Sequence, residues 1–153
     1  MANISLEDLK KLRAETSAGV SDCRQALEDA HGDYEKAKKL LADRGLEKAK
    51  KKEGNETSQG IVDSYVHANG KIGVLVELRC ETDFVARTDE FKYLAHEIAL
   101  QVAAMNPKDL KALLTSEYIR DPKVTIKDLL KQTVAKLGEN ITVGRFDRIA
   151  LGE

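Results

Sequence analysis

The sequence predicts an α+β protein in which a small three-helix module precedes a core of three-stranded antiparallel sheet packed with helices. Three observations predict this class. Apolar residues recur at helical spacing up to Gly45 and alternate from Ile61 onward. Two alternating runs flank Asn69-Gly70, a pair that tight hairpin turns favour. Two later helical stripes carry their own cap and stop residues.

In the first module, Ser5 with Asp8 three residues on forms an N-terminal cap pair, and Leu6, Leu9 and Leu12 recur on one helical face. Gly19 breaks this helix. Val20, Cys23, Ala26 and Leu27 mark a second one, which ends near His31-Gly32. Asp33 caps a third, with Tyr34, Ala37, Leu40 and Leu41 on its inner face before Gly45. Each is shorter than the ~12–15 residues at which isolated helices persist in water, so the three must stabilise one another by packing.

Residues 46–58 are polar and lose apolar periodicity at their C-terminal end, which reads as a frayed helix followed by a hinge. Its lysines suggest either a nucleic-acid contact or a solvated helix face, and the flanking Glu47 and Glu53 favour the solvated face. The chain thus divides into a helical domain over 1–46, a basic linker over 47–58 and an α+β core over 59–153.

In the core, a two-residue type I′ turn at Asn69-Gly70 sets His67 opposite Ile72, Tyr65 opposite Val74 and Ile61 opposite Leu78. Ile72, Val74, Val76 and Leu78 then share the buried face of the sheet. A helix over 89–104 follows, capped by Thr88, with Phe91, Leu94, Ala95, Ile98 and Val102 inward, and Asn106-Pro107 ends it. Residues 108–122 read as short helix and loop. Thr125 with Asp128 caps a further helix whose stripe is Ile126, Leu129, Leu130, Val134 and Leu137, and Gly138 stops it. Residues 141–151 supply a third strand, antiparallel to the hairpin.

Composition narrows the function. The formal net charge is −1, from 25 basic and 26 acidic side chains, so nothing draws the chain generally to nucleic acid or an anionic membrane. No stretch reaches the roughly 20 apolar residues that span a bilayer. The opening Met-Ala-Asn-Ile-Ser-Leu-Glu-Asp lacks the basic start and apolar core of a signal peptide. Two distant cysteines, Cys23 and Cys80, are too few for a disulfide-stapled secreted domain. The expected location is the cytoplasm.

No enzyme constellation assembles. Cys80 and His67 lie at opposite ends of the hairpin, roughly 26 Å apart at ~3.3 Å per strand residue, far beyond proton-transfer distance. His96 reads as a rim histidine on its helix. The three histidines and two cysteines show no metal-ligand spacing. Gly70-Lys71 is not a phosphate loop, because Ile72 stands where Ser or Thr is needed and Tyr65 where the earlier glycine belongs. No catalytic residue, cofactor or metal is expected.

The segment Glu81-Thr82-Asp83-Phe84-Val85-Ala86-Arg87 places a large ring beside a carboxylate in a connection between strand and helix. Two readings are open. Phe84 and Val85 fold inward to seal the core while Asp83 or Thr82 starts the helix; or Asp83-Phe84 projects as a wedge into a partner.

This segment, following Gly-Val-Leu-Val-Glu-Leu over 73–78, resembles the signature of the elongation factor Ts family. So do Leu12-Arg13 with Thr16-Ser17-Ala18-Gly19-Val20-Ser21-Asp22-Cys23, and Leu137-Gly138-Glu139-Asn140-Ile141 with Arg145-Phe146. The resemblance runs in order over essentially the whole chain. It implies a ubiquitin-associated-like (UBA-like) fold for the N-terminal helices. It also implies a guanine-nucleotide exchange factor for the GTPase EF-Tu, one that promotes GDP release by disturbing the magnesium site of EF-Tu. Under it, Thr82, Asp83, Phe84 and Val85 are the partner-binding residues, with Phe84 as wedge and Asp83 against the groups that organise the metal. Arg13 and Val20 match positions that dock the N-terminal module. Val20-Ser21 replace the Met-Met of many members, and the second core subdomain and coiled-coil excursion of longer members do not fit in this chain. Short members are thought to pair through their cores, which implies a homodimer. Val62, Val66 and Leu75 on the second sheet face would serve such a dimer, or be covered by the chain's own helices.

Overall fold

The computed structural model describes residues 4–153; the first three residues of the segment compared with a signal peptide lie outside the described residues. Helices α1 (Leu6–Thr16), α2 (Val20–Asp29) and α3 (Tyr34–Lys52) come first. Strands β1 (Gln59–Val66) and β2 (Ile72–Cys80), the one-turn helix α4 (Asp83–Ala86) and the long helix α5 (Asp89–Met105) follow. Then come α6 (Leu110–Thr115), the short strands β3 (Glu117–Tyr118) and β4 (Asp121–Thr125), α7 (Ile126–Leu137) and β5 (Ile141–Ala150).

The three N-terminal helices bury a small core of Leu12, Cys23, Ala26, Leu27, Ala30, Ala37 and Leu41. Ser5 caps α1 through the amides of Glu7 and Asp8, and Asp33 caps α3 through Lys36. Leu6, expected on the inner face, is 73% exposed.

The third helix does not stop at Gly45. It runs unbroken for 19 residues from Tyr34 to Lys52, so the expected frayed helix is the C-terminal part of α3. The reason lies in its neighbour. Ala49 enters the core of the α+β region, and α3 lies so close to α7 that a Cβ on Gly45 would fall 3.0 Å from Cβ of Ala135. Gly45 is a contact point between helices and not a stop. Three basic residues of α3 reach back to acidic ones on α1 and α2: Lys38 to Glu15 at 2.9 Å, Lys48 to Asp22 at 3.2 Å, and Arg44 to Asp29. Such exposed pairs contribute little to stability, because water and salt screen them. They show where much of the charge on this helix is spent.

The sheet has the order β1-β2-β5, all antiparallel. The hairpin register is the expected one, with Ile61 opposite Leu78 and Tyr65 opposite Val74. The turn differs. The amide of Gly70 donates to the carbonyl of His67, and only Gly70 takes a left-handed φ, of 71°. A type I′ turn would need Asn69 left-handed as well. Asn69 instead accepts the Lys71 amide through its side chain at 3.0 Å, an Asx contact that holds the same register with a looser loop.

Val74, Val76, Leu78 and Cys80 of β2, with Ile141 and Val143 of β5, form the buried face. It packs against Phe91, Leu94, Ala95, Ile98, Ala99 and Val102 of α5 and Ile126, Leu130 and Val134 of α7. The other sheet face is bare: Val62, Val66, Leu75 and Ile149 are all exposed. A register shift between Glu77 and Leu78 bends β5 over the core.

Residues 108–122, read as helix and loop, also contain β3 and the start of β4, a two-stranded ribbon that runs on to Thr125. Polar residues on the inner face of α5 hold it. Gln101 donates to the Glu117 carbonyl at 2.8 Å and accepts the Ile119 amide at 3.0 Å. Glu97, 1% exposed, accepts from Tyr118 and pairs with Arg120. Burial pushes the Glu97 carboxyl up, but the bonds from Arg120 and Tyr118 outweigh it and leave it below the ordinary carboxylate range.

Candidate functional site

The Thr82–Val85 segment forms α4, a single turn between the end of β2 and the start of α5. Its residues divide between anchoring and display. Thr82 is the N-cap, in extended conformation, and its hydroxyl accepts the Val85 amide at 3.5 Å. Val85 is 9% exposed and belongs to the main core with Ala86. Thr88 closes the far end by donating its hydroxyl to the Val85 carbonyl at 2.7 Å.

Phe84 is 80% exposed. Of the two readings open from the residues alone, core-sealing therefore describes Val85 and projection describes Phe84. A one-turn helix puts successive side chains about 100° apart, so with Val85 and Ala86 both turned into the core Phe84 points away from it. Asp83, also exposed, meets the Arg87 guanidinium at 2.8 Å one turn further on. The display face thus carries a bare ring and a carboxylate whose only cation partner among the described residues is itself 76% exposed.

The segment is fixed from below by residues distant in sequence. Glu139, just beyond the α7 stop at Gly138, accepts from the Glu81 amide at 3.1 Å, the Thr82 amide at 2.9 Å and the Thr82 hydroxyl at 2.5 Å. Glu81 reciprocates by accepting the Asn140 amide at 2.9 Å. Asn140 is buried and donates its side-chain amide to the carbonyls of Glu53 and Asn55, just past α3. The sequence marked Leu137–Ile141 only as a family motif and gave Glu139 no site role. No local spacing signals a pairing across 57 residues.

Arg13 and Val20 flank the α1–α2 corner, Arg13 in the last turn of α1 and Val20 as the first residue of α2. Both are exposed, Val20 by 46%. They lie on the helical module and not at α4, so the two groups of candidate residues form separate patches.

The reactive side chains considered from sequence stay apart. His67 is in the hairpin loop, bonded to the Tyr65 hydroxyl at 3.0 Å. Cys80 is fully buried at the other end of β2, where its thiol donates to the Thr82 carbonyl at 3.1 Å. Burial, with the nearby Glu139 charge, pushes the Cys80 thiol up, away from the thiolate that a nucleophile needs. His96 lies on the rim, 3.6 Å from Asp63. Among the described residues no group of three His, Cys, Asp or Glu side chains is arranged to hold a metal. None of the described helices is long and apolar enough to cross a membrane.

Comparison with known proteins bears on the same segment. The family model described as elongation factor TS matches residues 81–153, beginning at Glu81. The chain is 44% identical over 195 aligned positions to an elongation factor Ts of Thermoanaerobacter sp. (strain X514), covering 98% of this chain and 96% of the relative. It is 43% identical to that of Fervidobacterium nodosum, covering 98% and 99%, and 41% identical to that of Desulfosudis oleivorans, covering both chains fully. The alignments run over more positions than the 153 residues of this chain. The relatives therefore carry residues that this chain lacks.

Proposed function

The chain belongs to the elongation factor Ts family, and we propose that it acts as the guanine-nucleotide exchange factor for EF-Tu, performing no covalent chemistry itself. The observation that carries this reading is Phe84, held bare on a clamped turn beside Asp83. A monomer gains nothing by leaving a phenylalanine 80% exposed, whereas burying it in a partner is worth about 2–3 kcal/mol.

In this reading the chain binds EF-Tu with GDP in place. Phe84 wedges between helices of the GTPase domain, and Asp83 reaches the groups that organise its magnesium ion. Thr82 and Val85 complete the contact segment from beneath. The exposed Asp83–Arg87 pair is weak enough to open on docking. Magnesium neutralises much of the phosphate charge, so loosening it lowers the affinity for GDP. Linkage then requires that GDP weaken the grip of the factor on EF-Tu by the same ratio. The complex is therefore transient, and GTP fills the emptied site.

The N-terminal helices, as a UBA-like module, dock on the same GTPase domain through Arg13 and Val20. The boundary between module and linker falls inside α3, whose Ala49 enters the core that carries α4. The bare sheet face of Val62, Val66 and Leu75 is where a second copy pairs. The protein works in the cytoplasm, without nucleic acid or membrane as direct partner.

The test is release of a fluorescent GDP analogue from purified EF-Tu, with the intact chain and with Phe84→Ala. Fast release that needs Phe84 supports the reading. Binding without acceleration by the intact chain would leave a docking protein with no exchange activity.

A further inference from the structure

We propose that Glu139 is a positioning residue for nucleotide exchange: its carboxylate sets the angle at which α4 presents Asp83 and Phe84. The inference rests on the exchange reading above and adds to it a residue remote from the display face.

A four-residue helix cannot hold its own shape. Nearly all its amides lack intrahelical partners, and nucleating a single turn is unfavourable in isolation. Its cap bond, from the Val85 amide to the Thr82 hydroxyl, is long at 3.5 Å. What stiffens it is Glu139. One carboxylate oxygen accepts the amides of Glu81 and Thr82 at 3.1 and 2.9 Å, and the other accepts a hydrogen bond from the Thr82 hydroxyl. Hydrogen bonds to a carboxylate are about twice as strong as neutral ones. Donating a hydrogen bond to Glu139 also leaves the Thr82 oxygen a better acceptor for the Val85 amide. Charge on Glu139 thus passes through one hydroxyl into the cap of α4.

The clamp is mounted on rigid elements. Glu139 is held between the end of α7 and the start of β5, and Asn140 ties the same corner to the carbonyls beyond α3. Glu139 itself is partly buried under the segment, off the face that carries Phe84. Its effect on exchange must therefore pass through α4, which separates it from a contact residue.

The experiment measures GDP-analogue release from EF-Tu over a range of factor concentrations for the intact chain, Glu139→Gln, Phe84→Ala and the double variant. Glutamine keeps the size but turns an NH₂ group toward donors. The expected result for Glu139→Gln is a maximal release rate lower by about tenfold, which is ~1.4 kcal/mol, with the half-saturating concentration changed less than about threefold. In the double variant the losses are expected to be non-additive, because both act through the same turn. Additive losses, or unchanged release with Glu139→Gln while Phe84→Ala is slow, would overturn the clamp and leave the exchange reading standing. Unchanged release with Phe84→Ala would overturn the exchange reading and the clamp with it. Amide hydrogen exchange on the intact chain gives a readout that needs no variant. The Glu81 and Thr82 amides are expected to exchange as slowly as those inside β2, and loop-like exchange at both would also refute the clamp.

Discussion

Glu139 and Thr82 stand 57 residues apart, yet a single carboxylate receives both the amide and the hydroxyl of Thr82. The consequence is a division of labour within α4, where Val85 is committed to the core and Phe84 to solvent. This division predicts opposite results from neighbouring substitutions. Phe84→Ala is expected to shift the melting temperature by less than about 2 °C while slowing GDP release from EF-Tu at least about tenfold. Val85→Ala is expected to cost roughly 1.5–2.5 kcal/mol of stability, at about 0.8 kcal/mol per buried methylene. Thermal melts and release assays on both variants check the pair. A stability loss from Phe84→Ala would place the ring in the core after all.

Asp83 is expected to act on release more than on binding. In the free chain its cation partner among the described residues is the exposed Arg87, so Asp83→Ala removes little stability. Stopped-flow release should slow severalfold, while affinity for nucleotide-free EF-Tu, measured by titration, falls less. Equal losses in both would make Asp83 a general docking contact with no special relation to the metal site.

Much of this architecture was legible because it is written in local signals. The caps at Ser5, Asp33, Thr88 and Thr125, the hairpin register and the stripe of α7 follow from residues within a few positions of one another. What was illegible depends on neighbours that only folding supplies. Gly45 reads as a helix stop by propensity, and only the proximity of Ala135 shows it to be a contact. Glu97 and Gln101 look like ordinary polar positions on α5, yet they hold the β3–β4 ribbon, which has too few residues for any strand pattern. Likewise the 81–87 segment admitted two orientations of Phe84. Periodicity has no purchase on a four-residue helix, so its core contact and its clamp decided between them.

Gly45 offers a test of how the two lobes are joined. A Cβ there would already sit 3.0 Å from that of Ala135, so Gly45→Leu must force α3 away from α7. Overpacking of this kind typically costs 1–3 kcal/mol, about 2 kcal/mol here, set against the helix propensity that leucine gains over glycine. Chemical denaturation should show a lower midpoint. If the patches around Arg13 and Phe84 must engage together, the half-saturating concentration for exchange should rise as well. A variant as stable as the parent would mean that α3 and α7 can separate without cost.

Acid should unsettle the ribbon through Glu97. Its carboxyl lies below the ordinary range in the folded protein, and in the unfolded chain it returns to that range. Its contribution to stability is therefore full above the ordinary carboxylate range and is lost as pH falls through the depressed folded value. Glu97→Gln keeps the shape but removes the charge that Arg120 and Tyr118 share. At neutral pH it is expected to cost roughly 1–3 kcal/mol, the usual range for leaving a buried polar partner unsatisfied. Denaturant midpoints taken from neutrality downward should show the two proteins converging, because the parent protonates Glu97 and loses the same interaction. A gap that stays constant with pH would mean that Glu97 holds Tyr118 and Arg120 by shape alone, with its charge contributing nothing.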